Sequence, residues 1–369
     1  MKARNVLEGA LVLAIAAGIA AVPGSARAQD VRNIPPNALL ILDSSGSMEY
    51  LQHEHVIPHC NDDPAEDDTS ERTRWMMALD ALLGPISEAS FQSEFTVPAD
   101  HIIPHFVAKG DRDESWGILE RYRELVRFGL ATFDSFESTD DDGDGMWSYG
   151  PTASGRNVGI KRSQSTLDVE DIGGALVSFG ADDASMDLIN NVIRMEIEQT
   201  IPYCGSPVAA ALDDAEVFFT TNPDNIAFSQ GGNDRFWSCR KKFVILITDG
   251  RPNTGEGTWY GSSSMEAADL WSLGAMPYET VPTYVIGFSI CPAGTTDGDE
   301  IRATLDDVAH AGCPPDQPIC PAGALFADDT YDLMGALDTI LSIAIRDANS
   351  RTVALTTNKT VVTVTARAG

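Results

Sequence analysis

Asn37-Ala38-Leu39-Leu40-Ile41-Leu42-Asp43-Ser44-Ser45-Gly46-Ser47-Met48 is the stretch that decides the fold. Its apolar residues follow one another without alternation and stop at an acid. A strand apolar at every position is one covered on both faces, as in the middle of a parallel sheet. The hydroxyls behind Asp43 then fall at the carboxyl end of that strand, where open α/β sheets bind their ligands.

Similar runs recur down the chain. Lys242-Phe-Val-Ile-Leu-Ile-Thr248 again ends at an acid, Asp249, and Thr283-Tyr-Val-Ile-Gly-Phe-Ser289 and Leu125 to Phe133 read as further strands. Ala324 to Ala327 reads as a short one. Helical spacing appears at Trp75, Met76, Leu79, Leu82, Leu83 and Ile86 within residues 73–86. Ser206-Pro207 opens a helix through Ala215 to Phe219, with proline in the first turn where its missing N–H costs nothing. Ile301 to His310 and Tyr331 to Ile345 complete the helices. Strands alternating with helices predict an α/β fold: a doubly wound, mostly parallel central sheet flanked by helices. Residues 33–347 form this domain. Polar stretches at about 52–70, 89–114 and 134–180 are too long for plain connections and are expected as insertions. The tail, 348–369, is rich in β-branched residues and is expected as β structure.

With 55 Asp+Glu against 25 Lys+Arg, the 369 residues carry a formal charge of −30 and a pI near 4.3. At 43% hydrophobic the chain can bury a core, which excludes a disordered acidic tail. Such acidity repels nucleic acid and anionic membrane surfaces and suits the holding of cations.

Lys2 and Arg4, an apolar run from Val6 to Val22 broken only by Glu8, and Ala26-Arg27-Ala28 make a signal peptide over 1–28, with Gln29 as the expected first mature residue. Its loss removes Lys2, Arg4, Arg27 and Glu8 and takes the charge from −30 to −32. An uncleaved anchor is the alternative. No later stretch reaches the about 20 apolar residues that span a bilayer, so no transmembrane segment is expected in the mature chain. Export implies the periplasm, the cell surface or the extracellular space. Cys60, Cys204, Cys239, Cys291, Cys313 and Cys320 all follow the signal, an even number that reads as disulfides in an oxidising compartment. A Cys313–Cys320 loop and a Cys291–Cys313 bridge are both candidates.

Carboxylate and hydroxyl oxygens converging from a tight turn at Asp43, Ser45 and Ser47 are hard donors, suited to Mg²⁺ or Ca²⁺. Taken alone, the turn also reads as a helix N-cap. Asp43-x-Ser45-x-Ser47 at the end of a first strand resembles the metal-ion-dependent adhesion site of the von Willebrand factor type A domain. That family supplies a further hydroxyl from a Gly-Thr-Pro context before a helix, matched here by Gly205-Ser206-Pro207 with Ser for Thr. It also places an Asp in a Thr-Asp-Gly turn, matched by Thr248-Asp249-Gly250. The resemblance implies a Mg²⁺, Ca²⁺ or Mn²⁺ site at Asp43, Ser45, Ser47, Ser206 and Asp249, and a partner that presents an acidic residue to the ion. It implies adhesion, not enzymatic catalysis; a non-adhesive structural module that docks to a surface assembly through the same face is the alternative.

Within that family, Pro35-Pro36-Asn37 through Met48, Cys239-Arg-Lys-Lys through Gly250, and Ala327-Asp-Asp-Thr-Tyr-Asp-Leu-Met-Gly-Ala-Leu337 resemble the N-terminal domain of PilY-type proteins, adhesin and assembly factors at the tips of type IV pili. Pilus components are the partners this implies. PilY-type proteins continue into a large β-propeller, which has no counterpart in residues 1–369.

Two further stretches carry metal chemistry. Asp140, Asp142 and Asp144 before Gly145 fit the first half of a Ca²⁺ loop, but Pro151 stands where its closing Glu belongs. Glu137 or Asp168 are the acids that could complete a shortened version; a solvated acidic turn is the plain alternative. His53, His55, His59 and Cys60, with His101 and His105 further on, could hold zinc and would then support a hydrolase. No Gly-x-Ser-x-Gly, P-loop or dinucleotide fingerprint accompanies them.

Overall fold

The computed structural model describes residues 34–51, 72–97, 101–133, 176–180, 185–200, 202, 206–222, 232–237, 239–250, 252, 261–273, 280–290 and 293–361. Its strands are β1 (Asn37–Leu42), β2 (Ile86–Val97), β3 (His101–Arg112), β4 (Arg127–Thr132), β5 (Leu176–Val177), β6 (Lys242–Thr248), β7 (Thr283–Phe288) and β8 (Leu325–Ala327). Its helices are α1 (Arg74–Leu83), α2 (Ile118–Arg121), α3 (Met186–Gln199), α4 (Val208–Thr221), α5 (Ser263–Ser272), α6 (Thr296–Gly312) and α7 (Thr330–Val361).

Six strands form one sheet in the order β5-β4-β1-β6-β7-β8. All its neighbours run parallel except β5, which lies antiparallel to β4. β1 is central and wholly buried, which is why every residue of its run is apolar up to Asp43. Its alternate side chains feed two cores. Ala38, Leu40 and Leu42 pack with residues of α1, α2, α3 and α7; Leu39 and Ile41 pack with residues of α4, α5 and α6. The fold is therefore α/β with helices on both faces of a mostly parallel sheet. Each fully buried Leu or Ile contributes about 1.5–3 kcal/mol before entropy is charged against it.

Chain direction reverses at β1. From β1 the chain adds β4 on one side and only later β6 on the other, so a crevice opens beyond the carboxyl ends of β1 and β6. Leu42 pairs with Ile247, and the Asp43 amide continues the ladder to the Ile247 carbonyl at 2.9 Å. Asp43 and Asp249 thus leave neighbouring strands side by side.

Three expectations change. Most of 89–114 is a regular hairpin, β2 against β3, with irregular register near Ile86 and Phe91. The end of 134–180 belongs to the sheet: Leu176–Val177 forms the edge strand, and Phe179 is fully buried against Phe218 and Phe219. The tail is helical through Val361, where residues 348–369 read as β. Leu333, Leu337, Ile340, Leu341 and Ala344 bury one stripe of α7 and fix its first turns. Extension then adds a hydrogen bond per residue, which outweighs the few tenths of a kcal/mol that a β-branched residue costs. Residues 362–369 lie outside the described residues.

Candidate metal centre

Asp43 leaves β1 with its side chain fully enclosed. Its Oδ1 accepts the Ser45 amide at 2.8 Å and its Oδ2 accepts the Thr248 hydroxyl at 2.5 Å. The first of these closes the tight turn; the second ties β1 to the end of β6. Ser44 turns the other way and donates to the Phe133 carbonyl beyond β4, at 2.9 Å. Ser45 Oγ and Ser47 Oγ meet at 3.0 Å, and Ser47 donates to Asp249 Oδ1 at 2.7 Å. A short 3-10 turn, Gly46–Glu49, holds Ser47 in that position.

Four of the five expected residues, Asp43, Ser45, Ser47 and Asp249, are therefore gathered by one set of close contacts. Ser206, the fifth, is buried on the turn into α4, where its carbonyl accepts the Val208 amide at 2.9 Å.

The charge balance is lopsided. Burial, and then the nearby Asp249 carboxylate, push the Asp43 carboxyl up to about 7, against the pull of the bonds from Ser45 and Thr248. Two enclosed acids side by side call for two positive charges, of which the buried Arg74 beside Asp249 supplies one. Carboxylates and hydroxyls are hard oxygen donors, so the residues fit a Mg²⁺- or Ca²⁺-like ion.

Three groups at the site escaped the sequence reading. Thr248 read as a strand end and as the start of the Thr-Asp-Gly turn, but not as a donor to Asp43. Arg74 read only as the start of a helix, yet its Nη1 lies 2.6 Å from Asp249 Oδ2, with both side chains buried. Its signal was present: a cation in the first turn of a helix opposes the macrodipole and needs a particular partner. Glu49 is buried with neither carboxylate oxygen hydrogen-bonded, and burial alone raises its carboxyl to about 8.

The other candidate sites fare differently. Cys313 and Cys320 are joined, with Cα atoms 5.3 Å apart, so the Cys291–Cys313 bridge is excluded. Cys313 is buried in the core at the end of α6, and Cys239 is exposed. Cys60, Cys204 and Cys291 lie outside the described residues, as do Asp140, Asp142, Asp144, Glu137, Asp168, His53, His55 and His59. His101 and His105 fall on β3. Among the described residues no three His, Cys, Asp or Glu side chains gather around one point, whereas the crevice site rests on two acids plus hydroxyls. Also among the described residues, no helix is long and apolar enough to cross a membrane.

No family model matches the chain, and no curated protein matches it. Among solved structures, proximal thread matrix protein 1 from the mussel byssus is 11% identical, with a TM-score of 0.38, over 85% of this chain and 49% of that one. The pilus adhesin SpaC from Lactobacillus rhamnosus GG is also 11% identical, with a TM-score of 0.40, over 85% of this chain and 30% of that one. The chain thus spans about half the length of the first of these and less of the second. Likeness of that degree identifies no family.

Proposed function

We propose that this chain is an exported adhesion domain of the von Willebrand factor type A kind, which binds an acidic group of its partner through a divalent ion at Asp43, Ser45, Ser47, Ser206 and Asp249. One observation carries the reading: four of these residues, two of them acids, meet at the crevice where β1 and β6 end. Oxygen donors at such a place, with more negative charge than their own surroundings neutralise, suit a hard cation.

An ion held there by few carboxylates would remain electrophilic and supply a coordination position to a ligand carboxylate. Asp43 is held by Ser45 and Thr248, so its carboxylate is oriented before anything binds. Ser47 is oriented in the same way by Asp249. The turn is thus preorganised, and little ordering entropy is left to oppose binding. Attachment to a pilus, as the resemblance of residues 35–48, 239–250 and 327–337 to PilY-type proteins suggests, is the biological setting we propose for this chemistry.

Metal analysis and a surface assay test it. Purified chain dialysed against Mg²⁺, Ca²⁺ and Zn²⁺ is expected to retain one hard cation, and to adhere to a poly-glutamate surface only while that cation is present. Adhesion that persists in EDTA would refute metal-dependent binding. Stoichiometric zinc with no Mg²⁺ or Ca²⁺ would transfer the proposal to the His53–Cys60 stretch and to hydrolysis.

A further inference from the structure

The neglected partner of this site is Arg74. It is the first residue of α1, a helix whose ten residues are all buried. Its amide donates to the Tyr50 carbonyl at 3.0 Å, its guanidinium lies 5.9 Å from the centre of the Tyr50 ring, and Nη1 reaches Asp249 Oδ2 at 2.6 Å. Nε makes no hydrogen bond although it is buried. A guanidinium held against its own helix dipole and not fully satisfied is costly. It stays because Asp249 holds it, through the oxygen that Ser47 leaves free.

We propose that Arg74 is an internal cation that competes with the divalent ion for Asp249 and, once the ion is bound, makes the filled site attractive to an anion. This rests on the metal-dependent reading above and extends it to ligand choice. Charge arithmetic carries the argument. Asp43 and Asp249 ionised against a divalent ion leave no net charge; adding Arg74 leaves one positive charge. In a chain of net charge −30, a local positive site is what draws in an acidic ligand group instead of repelling it. The same positive charge repels the incoming ion. Arg74 therefore weakens the hold on metal and strengthens the hold on ligand, two effects of opposite sign from one side chain. A merely structural arginine would have no reason to separate them: its loss would loosen the turn and weaken both.

The test uses the full chain and two probes. Mn²⁺ affinity is measured by the paramagnetic signal of the free ion. Acetate is then titrated into Mn²⁺-loaded protein, and its coordination is followed by water proton relaxation. Arg74→Gln is expected to bind Mn²⁺ at least tenfold more tightly than the native chain and acetate at least threefold more weakly. Unchanged or weaker Mn²⁺ binding, in a variant with native circular dichroism, overturns the proposal. Should Arg74→Gln not fold, Arg74→Lys carries the test. Its shorter ammonium lacks the fork that grips Asp249, so Mn²⁺ binding should tighten two- to fivefold, and binding no tighter than native overturns the proposal. The underlying reading fails separately: a native chain that binds no Mn²⁺, or that binds it as well after Asp43→Ala, removes the metal site itself.

Discussion

Asp43→Asn separates a metal ligand from a structural acceptor, because the two roles predict opposite changes in one assay. Asparagine has the same shape. Its carbonyl can still accept the Ser45 amide, and Thr248 can turn its hydroxyl to accept from the new amide group. The substitution also removes the repulsion between Asp43 and Asp249 that helps push the Asp43 carboxyl up to about 7. Without metal, the variant should therefore melt no lower than the native chain. Metal reverses the comparison. At an effective dielectric constant of about 20, a unit charge about 5 Å from a divalent ion is worth about 7 kcal/mol before dehydration. With more than half of that returned to desolvation, about 3 kcal/mol remains, or about 100-fold in Kd. At a metal concentration of about 100 times the native Kd, binding stabilises the native chain by about 2.7 kcal/mol; the variant, with metal near its own Kd, gains about 0.4 kcal/mol. In differential scanning calorimetry these become rises of about 4 °C and less than about 1 °C. Equal metal-induced rises would show that Asp43 does not hold the ion. A metal-free variant that melts several degrees lower would show that Asp43 serves the turn alone.

Other perturbations probe the scaffold. Burial, helped by Asp213, Asp269 and Glu216, raises the Glu266 carboxyl above its ordinary value, against the pull of the Gly261 amide. A raised acid contributes stability that is full below its unfolded value and lost as pH climbs through the folded one, so Glu266→Gln should raise the urea midpoint slightly at pH 7 and not at pH 4, the effect kept small by solvent screening of a part-exposed group. Reducing the Cys313–Cys320 link, seven residues apart, should cost about 2.5 kcal/mol by loop entropy, seen as a lower urea midpoint in dithiothreitol that Cys313→Ser does not show. Gly84 closes α1 at φ 98°, and a Cβ there would meet the Asp113 carbonyl at 2.2 Å. Gly84→Ala should therefore destabilise by about 2 kcal/mol or more in the same measurement.

Where burial on both faces dictated composition, the sequence was readable. β1, β6 and β7 are covered on both sides, so nearly every residue is apolar and their limits fall within a residue or two of the reading. β5 was not readable, because two residues pairing with one edge leave no period to detect. α3 was missed for another reason: only part of it faces the core, through Ile193 and Ile197, while Leu188 and Met195 are exposed. The apolar stripe there is narrow and partly misdirected. The hairpin β2–β3 contains Pro104 and two register shifts, and both interrupt the alternation that marks a strand. The tail misled through propensity, which a well-anchored helix overrides.

Site legibility followed the same division between local and distant. Asp43, Ser45 and Ser47 are neighbours in sequence, and a tight turn must bring them together, so their meeting could be read directly. Asp249 was legible through the resemblance of Thr248-Asp249-Gly250 to the family's Thr-Asp-Gly turn, at the end of a second buried strand. Arg74 shares neither property. It reaches Asp249 from α1, 175 residues away, and only the packing of that helix against the crevice makes them partners. This difference also limits what total charge can explain. The chain has 55 acids, yet the chemistry of the crevice turns on two of them and on one arginine buried between the crevice and the core. Surface acids are screened within about 10 Å at ordinary ionic strength, whereas enclosed charges a few ångströms apart are not. Changing ten surface acids should therefore move the behaviour of this site less than changing Arg74 alone.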